Sequence, residues 1–264
     1  MKVLSPAEAG KIFLSNAANF NDERAHSAHG LSGRTITADF SAGNFRMRHD
    51  FDEDGKTLTW SALTGPQSGD SRTVPYQAFE VRPGITGVLA QPLEHEAVIL
   101  IVDDNRGRCA GLLGRRNSDE PGALIELKRL EGEILEADVD TSNLFKNGSD
   151  LGGTRFTVVY PGEVAIYEHI YLNDHYVTWL GHKGTSAGVA DTERYEAFRI
   201  APLVYLVAWT EKSAPLQISY LFDFEQMREH ASIFGFDESS GRYVYQTTSA
   251  DIAEIKHSNL ADID

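Results

Sequence analysis

The chain has 264 residues, with 24 Lys+Arg against 39 Asp+Glu and a formal net charge of −15. That balance repels phosphate backbones and argues against nucleic-acid binding. Hydrophobic residues make up 41% and aromatics 10%, enough for a packed core, so wholesale disorder is excluded.

No apolar run approaches the ~20 residues of a membrane span, so no membrane contact is expected. The start Met1-Lys2-Val3-Leu4-Ser5-Pro6 has no signal-peptide stretch, and a cytoplasmic location is expected. The single cysteine, Cys109, excludes an intrachain disulfide and any multi-cysteine metal site.

Taken in chain order, the first element is a helix. Ser5-Pro6-Ala7-Glu8 combines an N-cap, a proline in the first turn and a glutamate three residues on. It predicts a helix from about residue 5 to 18, ahead of the first domain. From Gly43 onward the chain lays down a pattern that it later repeats. Gly43 matches Gly162, Thr59-Trp60 matches Thr178-Trp179, and Gly65 matches Gly184. Tyr76-x-Ala-Phe79 matches Tyr195-x-Ala-Phe198, and Pro83 matches Pro202. All share one offset of 119 residues, the step from Trp60 to Trp179. The register then drifts by two, where Leu113-Gly114 meets Phe234-Gly235.

The expected domains are therefore an N-terminal barrel over 1–125, a last strand and linker over 126–153, and a C-terminal barrel over 154–264. The acidic, turn-rich stretch Asp138–Gly153 is the expected joint. Arg106, Arg108, Arg115 and Arg116 form a small basic cluster read as a solvated loop, with an anion site as the alternative.

In the second copy the hydrophobic period is two. Strands are predicted over Phe156–Tyr160, Val164–Leu172, Tyr176–His182, Tyr195–Ile200, Val204–Glu211 and Leu216–Phe222. Others are predicted over Ala231–Phe236, Tyr243–Thr247 and Ile252–Lys256, with a short helix over Glu225–Glu229. Short β-rich runs bounded by Gly, Pro, Asn or Asp describe an antiparallel meander. About eight per copy suit a closed up-and-down barrel without exposed edges, able to hold one small ligand. The fold class expected is all-β: two tandem lipocalin/calycin-like barrels from an internal duplication, with a short N-terminal helix.

Alternation sorts the candidate site residues by face. On strand 204–211, Tyr205, Val207, Trp209 and Glu211 share one face. If that face is the interior, burial raises the Glu211 carboxyl pKa and poises it as a proton carrier; the alternative is a solvated strand end beside Lys212. On strand 164–172, Tyr167, His169 and Tyr171 share one face, and Val164, Ile166, Glu168 and Ile170 the other. Either choice puts an ionisable group inside; two tyrosines with a histidine suit a pocket for a planar ligand. Tyr220 shares a face with Leu216, Ile218 and Phe222. His182, on the face opposite Trp179, and His230 are further candidates for proton transfer or ligand contact.

The first copy lacks most of these groups. It has Pro92 for Glu211, Ala90 for Trp209, Arg48 and Asp50 for Tyr167 and His169, and His49 for Glu168. Any active pocket is therefore expected in the C-terminal barrel.

No metal is expected: His169, His175 and His182 form neither an HxH nor an HxxxH pattern. No cofactor is expected either, since phosphate-binding glycine loops are missing. Nor is there a GxSxG elbow or an activating pattern around Cys109.

The second copy resembles the family of molybdenum cofactor biosynthesis protein F (MoaF). The likeness rests on Tyr160-Pro-Gly-Glu-Val-Ala-Ile-Tyr-Glu-His-Ile-Tyr-Leu-Asn-Asp-His175 and Thr178-Trp-Leu-Gly-His182. It continues through Asp191-Thr-Glu-Arg-Tyr-Glu-Ala-Phe-Arg-Ile-Ala-Pro202 and Ala208-Trp209. It implies a link to molybdenum-cofactor metabolism, with a pterin held or a partner assisted, rather than a defined chemistry.

More distantly, Tyr167-Glu168, Asn173-Asp174-His175, Gly184, Tyr205-x-Val-x-Trp209-Thr210-Glu211, Met227, His230 and Ile233-Phe234 look like phenolic acid decarboxylases. That resemblance implies a cofactor-free calycin barrel in which Glu211 takes the place of the glutamate that works on the substrate. Tyr160 falls near one of the family's tyrosines. The family's arginine has no counterpart, because Val189 follows Ala187-Gly188.

The expected function is thus a cofactor-independent acid/base lyase, of decarboxylase, hydratase or isomerase type, acting on a small aromatic or hydroxylated molecule. Glu211, Tyr160 and His169 would do the chemistry. Tyr167, Tyr171, Trp179, Trp209, Tyr220, His182 and His230 would contact the ligand. The alternative is a non-catalytic binding protein of the molybdenum-cofactor pathway. Phenolic acid decarboxylases pair as homodimers, which implies either a homodimer here or a monomer whose two barrels mimic one.

Overall fold

The computed structural model describes residues 4–15, 29–40, 43–118, 120, 123–140, 145–147 and 150–257. One closed antiparallel barrel is made by β1 (Thr35–Phe40), β2 (Phe45–Phe51), β3 (Thr57–Thr64), β4 (Ser71–Arg82), β5 (Ile85–Ala90), β6 (Glu96–Asp103), β7 (Arg108–Arg116) and β8 (Ile125–Ile134). It closes where Ala38 and Asp39 of β1 meet Ile134 and Glu133 of β8. A two-residue strand, β9 (Lys146–Asn147), pairs on the second sheet.

That sheet contains β10 (Thr154–Val159), β11 (Ile166–Tyr171), β12 (Tyr176–Lys183), β13 (Ala190–Ala201), β14 (Val204–Thr210), β15 (Leu216–Asp223), β16 (Arg228–Asp237) and β17 (Arg242–His257). Pairing of β12 with β13 closes these eight strands into the second barrel. Among the described residues, no helix is long and apolar enough to cross a membrane.

The duplication read from the sequence recurs at the level of hydrogen bonds. β3 and β4 coincide with β12 and β13 at the 119-residue step. The hydroxyls of Thr59 and Thr73 lie 2.7 Å apart across one pair, and those of Thr178 and Thr192 lie 2.8 Å apart across the other. Even the register shift between Glu80 and Arg82 returns between Arg199 and Ala201. A one-residue slip would turn every inward side chain outward, so two copies keep such irregularities only if each positions the same face.

Prediction and structure differ in three places. The helix predicted over Glu225–Glu229 is a hairpin turn. Asp223 Oδ1 accepts the backbone N–H groups of Glu225 (3.1 Å) and Gln226 (3.0 Å), and Met227 closes the turn at φ 52°. An aspartate capping its own turn competes with helix formation at this length. The two strands predicted over 243–247 and 252–256 are one, β17. Ser249, Ala250 and Asp251, which look like a turn by composition, pair with His230, Glu229 and Arg228. From Asp251 onward the strand also follows β10.

The third difference concerns the N-terminal helix, α1 (Pro6–Ser15). It begins as expected: Glu8 N–H donates to Ser5 Oγ at 3.3 Å, and Glu8 Oε2 accepts from the Ser5 N–H at 2.9 Å. Residues 16–18 of the prediction lie outside the described residues. The helix groups with the C-terminal barrel, although in sequence it precedes the N-terminal one. Ala9, Phe13 and Leu14 are buried in the core of the C-terminal barrel, because they form the apolar stripe that the helix must cover.

Gly235 on β16 makes room for it. A Cβ there would run into the Leu14 side chain and lie 2.9 Å from the Pro215 carbonyl oxygen. Gly235→Ala is therefore expected to loosen α1 and cost about 1–3 kcal/mol. Faster amide hydrogen exchange over residues 9–14 would report it; unchanged exchange would mean that the helix is not seated on this glycine.

Candidate functional site

The C-terminal barrel is filled from alternate positions of its strands. On β14 the inward residues are Tyr205, Val207 and Trp209, and on β12 they are Val177 and Trp179. Near α1 this filling is incomplete and leaves a cavity that, with its opening, encloses about 510 Å³. Pro6, Ala9, Gly10 and Phe13 of the helix form one side of it. The barrel contributes Leu216, Ile218 and Ile233 as apolar wall, and Ser186 with six aromatic or imidazole rings and one carboxylic acid. Those seven are Tyr160, Tyr167, His169, Trp179, Trp209, Tyr220 and Glu211, all of them candidates read from the sequence.

Glu211 is buried, at 5% exposure, directly after β14. Its Oε1 accepts the Trp209 indole N–H at 3.1 Å. Burial, and then the neighbouring charge of Glu193, push its carboxyl up to about 8, so at neutral pH Glu211 holds its proton. Glu193, on β13, is itself buried, and burial raises it too. Asp191, Glu193 and Glu211 bring carboxylate oxygens within 4.8 Å of one another. Lys212 answers this charge: it pairs with Asp191 and lies 3.6 Å from Glu193 Oε1. Three such oxygens are a donor set that a hard divalent cation uses, but here an ammonium already supplies the positive charge.

The open choice on β11 resolves with His169 inside and Glu168 outside. Glu168 pairs with Arg155, and its Oε2 lies 3.1 Å from His182 Nε2 on the outer wall. His169 is 1% exposed. The rings of Tyr220, Trp209 and Phe222 stand edge-on to it at 5.2, 5.4 and 5.7 Å. Burial pushes its pKa down to about 3, so the imidazole is neutral, and its Nδ1 has no hydrogen-bond partner in the protein.

Tyr160 and Tyr220 face a group that the sequence reading missed. Glu229, on the inner face of β16, is wholly buried, and burial pushes its carboxyl up to about 8 against a smaller opposing pull from the Tyr160 hydroxyl. The signal was present in the alternation Glu229, Ala231, Ile233. The helix predicted over 225–229 removed Glu229 from the strand. Burial also raises both tyrosine hydroxyls well above their ordinary value, which leaves them neutral donors.

Three other candidates stand apart from the cavity. Tyr171 is inside the barrel, stacked on Phe156 and edge-on to Tyr195, and does not line the opening. His182 is on the outer wall, as its face required. His230 follows the turn on β16, paired with Leu221 and Ser249, on the face opposite Ala231 and Ile233. Tyr167 lines the cavity, and its hydroxyl donates to Ser186 Oγ at 3.3 Å.

The arginine cluster is not a solvated loop. Arg106 pairs with Asp103, and Arg108 lies 3.3 Å from Glu133. Arg116 is 2% exposed and donates to the carbonyl oxygens of Glu120 (2.7 Å) and Ala123 (3.1 Å). Guanidinium groups already committed in this way leave little for an anion.

Residues 15–118 match the family model of the MoaF N-terminal domain, and residues 145–258 that of the MoaF C-terminal domain. Protein MoaF of Klebsiella aerogenes is 30% identical over 199 residues, which span 71% of this chain and 72% of that protein. Among solved structures, a Burkholderia vietnamiensis protein with a provisional β-lactamase description is 18% identical. It covers 41% of this chain and 95% of its own, with a TM-score of 0.34. The β subunit of DNA polymerase from Streptococcus pyogenes is 9% identical, covers 95% of this chain and 85% of its own, and has a TM-score of 0.16. At those scores neither likeness carries an argument.

Proposed function

Because the chain belongs to the MoaF family, with one barrel for each of the family's two domains, we propose that its C-terminal barrel binds a small, uncharged aromatic or hydroxylated molecule. There it acts as a cofactor-independent acid/base lyase or isomerase. The observation that carries this reading is Glu211: a buried carboxyl, its pKa raised by burial, on the wall of a largely aromatic cavity, where the first copy has Pro92.

In this mechanism Glu211 gives its proton to an oxygen or carbon of the ligand and later recovers one. Its neighbour Glu193 keeps the acid form populated near neutral pH, since two adjacent carboxylates resist ionising together. Trp209 orients the carboxyl through its N–H. Tyr160 and Tyr220, held neutral, donate hydrogen bonds, and neutral His169 can accept one. Trp179, Tyr167 and the α1 side chains keep water out, which strengthens each of these contacts.

The wall supports an uncharged ligand. Among the described residues, no lysine or arginine lines the cavity, and an anion buried without a cation is costly. The position of the decarboxylase arginine is held by buried Val189. This weighs against a free carboxylic acid as substrate. It also weighs against the alternative of a non-catalytic molybdopterin carrier, whose phosphate needs an anchor.

The test joins binding to turnover. Native mass spectrometry of protein purified from its host is expected to show a bound small molecule, and Glu211→Gln to retain it while losing conversion. A Gln variant as active as the wild type rejects the mechanism.

A further inference from the structure

The two barrels treat one tryptophan differently. In the N-terminal barrel Trp60 on β3 is buried, and its indole N–H donates to the Pro92 carbonyl oxygen at 3.1 Å. One repeat later stands Trp179 on β12, also buried at 8% exposure. Glu211 takes the place of Pro92, but its carboxyl accepts from another indole, that of Trp209. Trp209 is itself an addition of the second copy, where the first has Ala90. The result is that Trp179 Nε1 has no hydrogen-bond partner in the protein. Native proteins seldom leave a buried N–H without an acceptor, and where they do the position calls for an explanation.

Trp179 lines the cavity. We propose that a carbonyl oxygen of the ligand accepts the Trp179 N–H, as the main-chain carbonyl of Pro92 accepts that of Trp60. The first barrel thus carries, built into its own backbone, the functional group that the second takes from outside. The inference rests on the cavity being a ligand site and narrows its ligand to small carbonyl compounds: a ketone, aldehyde, ester or amide. A carbonyl is uncharged, which suits a wall without lysine or arginine. It is an acceptor only, which suits an indole N–H, a donor only. An N–H aimed at that oxygen also withdraws electron density from it and acidifies the adjacent C–H, the activation that a lyase or isomerase of this kind requires.

The test uses the full chain labelled with ¹⁵N and a pair of probes, acetophenone and ethylbenzene, which share a ring and differ at the carbonyl. The three tryptophans give three indole N–H resonances, assigned by single Trp→Phe variants. Acetophenone is expected to shift the Trp179 resonance downfield and saturably while that of Trp60, already bonded, stays in place. Trp179→Phe, which keeps an aromatic ring and removes the N–H, is expected to weaken acetophenone about five-fold more than ethylbenzene, since both probes lose the same wall contact and only acetophenone loses a hydrogen bond.

Equal affinity of the wild type for both probes, or saturation by acetophenone with the Trp179 resonance unmoved, overturns the inference alone. Failure of both probes to perturb Trp179 and Trp209 overturns it together with the reading of the cavity as a ligand site. Should Trp179→Phe not fold, the two titrations of the wild type decide.

Discussion

A Glu211→Gln variant is expected to bind its ligand as the wild type does and to lose about 10²–10⁴-fold in kcat, the usual worth of one positioned proton donor. Glutamine keeps the volume and still offers an oxygen to the Trp209 N–H, so the cavity is preserved; what disappears is the transferable proton. The pH profile carries a second signature. The acid form works, so the rate is high below the raised pKa of about 8 and falls above it. In Glu193→Gln the neighbouring negative charge that helps to hold Glu211 protonated is gone, and the alkaline limb is expected to move to lower pH. An unshifted limb would mean that Glu193 does not act on Glu211. Full activity of Glu211→Gln would remove the carboxyl from the mechanism altogether.

The second large effect is on stability, and its sign follows from which state holds the proton. Glu211 and Glu229 have folded-state pKa values of about 8, above the ordinary value of 4.5, so their contribution is complete below pH 4.5 and is lost as pH rises toward 8. Each costs about 1.4 kcal/mol per pH unit across that window. His169 runs the other way. Its folded pKa of about 3 lies below 6.5, so its contribution is present above pH 6.5 and is lost as pH falls.

Between 4.5 and 6.5 the histidine offsets one glutamate, and above 6.5 nothing in this trio offsets either. Stability of the C-terminal barrel is therefore expected to fall most steeply from pH 6.5 to 8. Glu229→Gln, which mimics the protonated side chain, is expected to halve that slope and spare about 2 kcal/mol over the interval. Urea denaturation at pH 6.5 and 8.0, followed by fluorescence of the C-terminal tryptophans, measures both slopes. Equal slopes in the wild type and the variant would show that Glu229 is not held neutral in the barrel.

Much of the site was visible in the residue order because a strand's period is short. Once Tyr205, Val207 and Trp209 are taken as inward, Glu211 follows two positions on; the same counting puts His169 on one face with Tyr167, and the structure turns that face inward. Glu193 was equally countable, since Tyr195 and Ala197 share its face, but no local oddity marked it. Its importance comes from Lys212 and Glu211, which reach it from the next strand. Glu229 was hidden by a turn whose residues favour a helix in isolation. Helix α1 precedes the first barrel in sequence yet is buried in the core of the second, because an amphipathic stripe states only that it must be covered.

Residue order by itself thus determined the duplication, the two β-barrels, most of their strands and which side chains share a face, all of which depend on periodicity within a few residues. Tertiary structure decided the rest: which barrel receives the helix, which carboxyls come together, and which indole is left without an acceptor. Those facts depend on distances between segments far apart in the chain. Burial then supplies the largest part of the shifts of Glu211, Glu229 and His169, because a charge inside the barrel loses its hydration.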